Sequence, residues 1–89
     1  MTTQEQVEQA FVDTVEAVAQ AIIAEGSALG GTFVDVYAVQ RALNERGFRT
    51  HAYRGLGHPA TNVREQAFIK LEESGKLRWT SLTRFDLAA

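Results

Sequence analysis

The stretch that decides how this chain is read is HAYRGLGHPATNVREQAFIKLEESGKL, residues 51–77. It passes from a loop rich in Gly, His and Arg into an amphipathic helix, closes that helix at Gly75, and leads into the strand-like Leu77-Arg78-Trp79-Thr80. Along the helix, about Thr61 to Ser74, Val63, Ala67, Phe68 and Leu71 recur at the spacing of one buried face. Asn62, with Glu65 three residues on, fits an N-cap and its capping-box partner. The loop has three possible roles: to hold a phosphate, to bind a metal, or to turn a corner.

Downstream, LRWT and RFDL alternate in period two, so Leu77, Trp79, Phe85 and Leu87 share one face. The two arms read as a hairpin closed by Ser81-Leu82-Thr83 or a slightly longer turn. Upstream, Asp35 caps a helix over Val36 to Arg46, with Val36, Val39, Ala42 and Leu43 inward and Tyr37, Arg41, Asn44 and Glu45 outward. Gly47 ends it, and residues 31–34, GTFV, form a short strand candidate before it.

The first segment is a long helix, about Gln4 to Glu25, ending at Gly26 as C-cap. Val7, Phe11, Val15, Val18 and Ile22 make one apolar stripe, and Val12, Ala19 and Ile23 make a second beside it. Together they cover an arc of about 200°, wider than one buried face needs. Either later elements of the chain share that arc, or a second copy does. The expectation is a homodimer joined through Phe11, Val12, Val15, Ala19 and Ile23.

The chain has 89 residues, enough for one domain, 1–89, that buries roughly 60–65% of its unfolded surface. Its apolar fraction of 45% and single Pro fit an ordered, helix-rich fold rather than disorder. It has no Cys, which excludes disulfides, thiolate metal sites and a Cys nucleophile. The polar start MTTQEQVEQ is unlike a signal peptide, and no run of about 20 apolar residues occurs. A cytoplasmic protein that does not enter membranes is expected.

Net charge is −2, but its distribution is uneven. Residues 1–40 hold six acids and no Lys or Arg, while residues 41–89 hold all nine Lys and Arg against five acids. Such asymmetry suits a face that attracts an anionic partner; the plain alternative is a chance segregation of acids onto one helix.

Helix, short strand, helix, helix and hairpin, with Leu71-Glu72-Glu73-Ser74-Gly75 before the hairpin, resembles the winged helix-turn-helix family over about residues 5 to 88. The fold class expected is mainly α with a small β-hairpin (α+β). The resemblance implies that duplex DNA is met by the turn and the start of the third helix, in a transcriptional regulator. Two departures stand out. The connection Gly47 to Ala60 is longer than a tight helix-turn-helix turn. The outer side of the third helix carries Glu65, Gln66, Ile69, Glu72 and Glu73, so any DNA reading falls to its amino-terminal end.

The candidate DNA contacts follow from residue type. Arg49, Tyr53, Arg54 and His58, with His51, crowd the loop, and Thr61, Asn62 and Arg64 follow on the helix start. A helix amino terminus offers free N–H groups to phosphate, and arginines add charge-assisted contacts. Asn62, Arg64 and Gln66 are the candidate base readers, and Arg78, Thr83 and Arg84 on the hairpin are placed to reach phosphates. The plain alternative is a solvated loop whose arginines pair with Glu45 or Glu65.

Other chemistry is poorly supported. Gly55-Leu56-Gly57 lacks the third Gly of a dinucleotide loop and the Gly-Lys-Ser/Thr of a P-loop. His51 and His58, the only histidines, have no Cys, Asp or Glu nearby in the loop, so no metal and no cofactor are expected. Adjacent Glu72 and Glu73 point about 100° apart on a helix and do not share a site. An enzyme is not expected. The rival to DNA binding is a protein-interaction module on the same scaffold, using Val12, Ala19 and Ile23 or Ile69.

Overall fold

The computed structural model describes residues 4–48 and 60–88, and only the backbone at residues 4, 7, 8, 10, 11 and 60–62. The order is α1 (Gln4–Ala28), β1 (Val34–Asp35), α2 (Val36–Glu45), α3 (Ala60–Glu73), β2 (Leu77–Trp79) and β3 (Arg84–Leu87). The strands form one three-stranded antiparallel sheet in the order β1-β3-β2. The described chain is therefore mainly helical with a small sheet, the α+β class expected.

The hairpin register matches the alternation in the sequence. Leu77 faces Leu87, Arg78 faces Asp86 and Trp79 faces Phe85. Leu77 and Phe85 are buried, and Trp79 and Leu87 pack partly buried against the same core. Residues 80–83 make the turn, closed by the Thr80 N–H donating to the Arg84 carbonyl at 2.9 Å. The strand expected at residues 31–34 contracts to Val34–Asp35 and pairs with β3. It cannot start earlier because Gly30, Gly31 and Phe33 all take positive φ. Phe33, at φ 50°, is fixed from two sides: its N–H donates to Asp86 at 2.7 Å, and its carbonyl accepts from Arg84 at 3.2 Å.

Asp35 caps α2 as expected, its carboxylate accepting from the Tyr37 N–H at 2.9 Å. The helix stops at Glu45, with Arg46 as its C-cap. Gly47 and Gly75 follow α2 and α3 at the expected places, each donating to the carbonyl three residues back, Asn44 and Glu72. The start of α3 corrects one expectation. The helix begins at Ala60, so Asn62 lies inside the first turn and is not the N-cap. Alanine is the strongest helix former, which favours extending the helix back to that residue.

The end of α1 corrects another. Gly26 does not stop the helix, which continues to Ala28. A Cβ on Gly26 would stand 2.8 Å from Leu87 Cδ1 and 3.5 Å from Phe85 Cε2, so β3 side chains pack close against α1 at this glycine. The stop passes to Gly30, at φ 106°, whose N–H donates to Ser27 O at 3.0 Å while the Gly31 N–H donates to Gly26 O at 2.9 Å. That pair of bonds is a Schellman cap.

Two substitutions separate approach from conformation at Gly26. Ala gains about 1 kcal/mol of helix propensity, and the atom it meets is the free end of the Leu87 side chain, which can turn aside. Gly26→Ala is expected to leave the urea midpoint nearly unchanged. Gly26→Val adds bulk toward Phe85 and is expected to destabilise by about 2–3 kcal/mol. Equal midpoints for the two variants would refute the close-packing account.

The core is one cluster. Val15, Val18, Ala19, Ala21 and Ile22 of α1 meet Val36, Val39 and Leu43 of α2, Val63, Ala67, Phe68 and Leu71 of α3, and Val34, Leu77 and Phe85 of the sheet. This decides how the broad apolar arc of α1 is shared. Val15 and Ala19, expected at a dimer interface, are 7% and 3% exposed within one copy and belong to its core. Ile23 packs partly buried against that core, so later elements of the chain cover most of the arc among its described side chains. Val12 is left 49% exposed, and the Phe11 side chain lies outside the described residues.

Candidate nucleic-acid interface

The outward surface of α3 is split between two grooves. Gln66, Ile69, Lys70 and Glu73 line a shallow one against Val12 and Val15 of α1. Glu65, Phe68, Ile69 and Glu72 line a second, about 380 Å³, against Val36, Tyr37 and Gln40 of α2 and Trp79 and Leu82 of the hairpin. Ile69 is the ridge between them. The division follows from helix geometry: positions 65, 68, 69 and 72 share one face, and 66, 69, 70 and 73 the next.

The expected DNA contacts do not assemble into one described surface. Arg49, Tyr53, Arg54 and His58, with His51, lie outside the described residues. Thr61 and Asn62 are placed on the first turn of α3, but their side chains are outside the description. Gln66 is exposed, yet it borders the α1 groove and not the hairpin.

Arg64 is the main correction. Its guanidinium turns toward α2 and does not extend outward as a base reader would. Nη2 donates to Asn44 Oδ1 near the end of α2 and to the backbone carbonyl of Phe48. Its Nε is buried with no partner among the described residues. The reason is local spacing: Arg64 follows Val63, which is wholly buried, and so sits at the shoulder of the inward face. The pairing with Glu45 or Glu65 considered from sequence is replaced by one with neutral oxygens.

The hairpin residues are also engaged. Arg84 lies over the Phe33 ring, 4.9 Å from its centroid, besides holding the Phe33 carbonyl. The Thr83 carbonyl accepts from the Val36 N–H at 3.0 Å, which ties the hairpin turn to the start of α2. Arg78 pairs with Asp86 across the strands at 3.5 Å. With a side chain 82% exposed, that pair is weak, and Arg78 remains within reach of an anion.

The groove between α3 and the hairpin is the feature sequence reasoning did not assemble. Its acids and Ile69 were visible as the outer side of a helix. Its other wall was not, because Leu82 stood in a turn and Tyr37 on the outer side of a different helix. Leu82 is 98% exposed and Tyr37 57% exposed.

Among the described residues, no group of three or more His, Cys, Asp or Glu side chains is placed to hold a metal. No described helix is long and apolar enough to cross a membrane. Neither the protein-family models, nor the curated proteins, nor the solved structures contain a match to this chain.

Proposed function

We propose that this is a small winged-helix protein that binds duplex DNA end-on, through the amino-terminal end of α3 and the segment 49–59 before it. The observation that carries the reading is the element order, with a short strand after α1 joining the hairpin in the order β1-β3-β2. The element order is the one on which the winged helix-turn-helix resemblance rests. Charge agrees with it: segment 49–59 contains Arg49, His51, Arg54 and His58 and no Asp or Glu. Helix amino termini add free N–H groups for phosphate, and Arg78 is the described hairpin cation that could join them. The acidic flank of α3 argues for end contact over a helix lying along the major groove. A role in transcription regulation belongs to the same proposal.

The homodimer remains part of the proposal in reduced form. With Val15 and Ala19 in the core, it would rest on Val12 and the turns of α1 before it.

The test is a fluorescence-anisotropy titration of a mixed-sequence duplex at about 50 and 200 mM salt. A protein neutralising about four phosphates should lose roughly 100-fold in affinity between those conditions. Arg49→Ala with Arg54→Ala should weaken binding at low salt and flatten that dependence. Absence of binding at the lower salt would overturn the DNA reading.

A second reading, an interaction module on the same scaffold, is favoured by one observation. The α3–hairpin groove pairs exposed apolar side chains with carboxylates, and among the described residues no Lys or Arg lines it.

A further inference from the structure

We infer that the groove between α3 and the hairpin docks a short segment of a protein partner that carries Lys or Arg beside apolar residues. This goes beyond the DNA reading and uses a different part of α3.

Apolar side chains make up the floor and part of the walls. The Phe68 and Trp79 rings meet at a 42° tilt with 5.5 Å between centroids, and both line the groove with Ile69. Tyr37 and Leu82 stand exposed on its rim. A single exposed Leu needs no explanation, but apolar side chains that run together across three elements do. Leu82 is also on a fixed turn. The Thr83 carbonyl is bonded to the start of α2, and the Thr83 N–H donates to Ser81 Oγ at 3.3 Å. The rim is thus held in place before any partner arrives, which lowers the ordering cost of docking.

Charge chooses the occupant. Glu65 and Glu72, seven residues apart on α3, are two turns or about 10 Å apart along one side of the groove. Among the described residues neither carboxylate meets a cation. Arg78, the strand neighbour of Trp79, points to the opposite face, as strand alternation requires. Two carboxylates that meet no cation among the described residues repel phosphate and attract Lys or Arg. The α1 helix of a second copy is a poor occupant, because residues 1–40 contain no Lys or Arg.

Trp79 is the only tryptophan, so its emission reports on the groove alone. The probes are two synthetic twelve-residue peptides, one repeating Leu-Lys-Lys and one repeating Leu-Glu-Glu, titrated into the full chain. The Lys peptide should shift Trp79 emission saturably, and the Glu peptide should not. Glu65→Gln with Glu72→Gln should weaken the Lys peptide about tenfold by removing two exposed ion pairs. Leu82→Ser should weaken it with circular dichroism unchanged. Neither change should weaken duplex binding, and loss of the two carboxylates should if anything strengthen it, so this inference and the DNA proposal fail separately. No response to the Lys peptide overturns the inference. So does equal affinity for the doubly substituted chain, which would place the peptide on the acids of α1. Displacement of the Lys peptide by duplex DNA, with Trp79 emission changed by the duplex, would make this the nucleic-acid face and also overturn it.

Discussion

Phe85→Ala is expected to destabilise the domain by about 4 kcal/mol, the range for removing a fully buried aromatic side chain. Phe85 has no exposed surface. It lies on β3, the central strand, where it faces Val34 on one side and Trp79 on the other. Its ring meets Phe68 and Trp79 edge-on, with centroids 5.9 and 5.5 Å away. It also packs beside the Cβ-free backbone of Gly26. One side chain therefore joins α1, α3 and all three strands. Small domains hold only about 5–15 kcal/mol in total, so the loss should lower the thermal midpoint by roughly 15–30 °C. Phe85→Leu keeps most of the volume and gives up the ring contacts, and should cost about 1–2 kcal/mol. The comparison is made by thermal and urea unfolding followed by far-UV circular dichroism. A Phe85→Ala midpoint within a few degrees of the parent would mean that the sheet is not anchored through this residue.

The hairpin and the three buried helix faces were legible in the sequence because they obey short-range periodicity. Leu77, Trp79, Phe85 and Leu87 alternate, and Val63, Ala67, Phe68 and Leu71 repeat at helical spacing, so packing follows from pattern. Asp35 was legible because a cap acts within two residues. What was missed depends on elements far apart in the chain. Gly26 reads locally as a stop, but it lies inside the helix, where Leu87 and Phe85, some sixty residues later, pack close against it. A similar distance hid the bounds of β1, expected at residues 31–34 and set at Val34–Asp35 by its pairing with β3.

The candidate site was less legible for a related reason. Residue type alone cannot say which way an arginine turns. Arg64, Arg78 and Arg84 all read as DNA contacts, yet their acceptors are protein oxygens at and just past the end of α2, on β3 and in the loop before β1. Tyr37, Ile69, Trp79 and Leu82 each read separately as outer or core residues, and only the tertiary fold brings them to one groove.

Arg64 gives the second large effect, and its sign separates a folding role from a DNA role. Arg64→Ala removes the donor shared by Asn44 and the Phe48 carbonyl. Hydrogen bonds from a charged donor each contribute about 1.5–3 kcal/mol. Because the two acceptors share one nitrogen, we expect a combined loss of about 2–3 kcal/mol and a midpoint lowered by roughly 10–20 °C. The contact also ties α3 to the end of α2, on either side of the segment 49–59. Arg64→Lys keeps the charge but not the planar fork, and should recover only part of the loss. Arg78→Ala is the control: its exposed pair with Asp86 should change stability by no more than about 0.5 kcal/mol. Below the lowered midpoint, where the Arg64→Ala chain is still folded, duplex affinity should match the parent, whereas Arg54→Ala should lower affinity without moving the midpoint. An Arg64→Ala chain of parental stability with weakened DNA binding would reverse the assignment. It would return this guanidinium to the nucleic-acid face that its sequence position suggests.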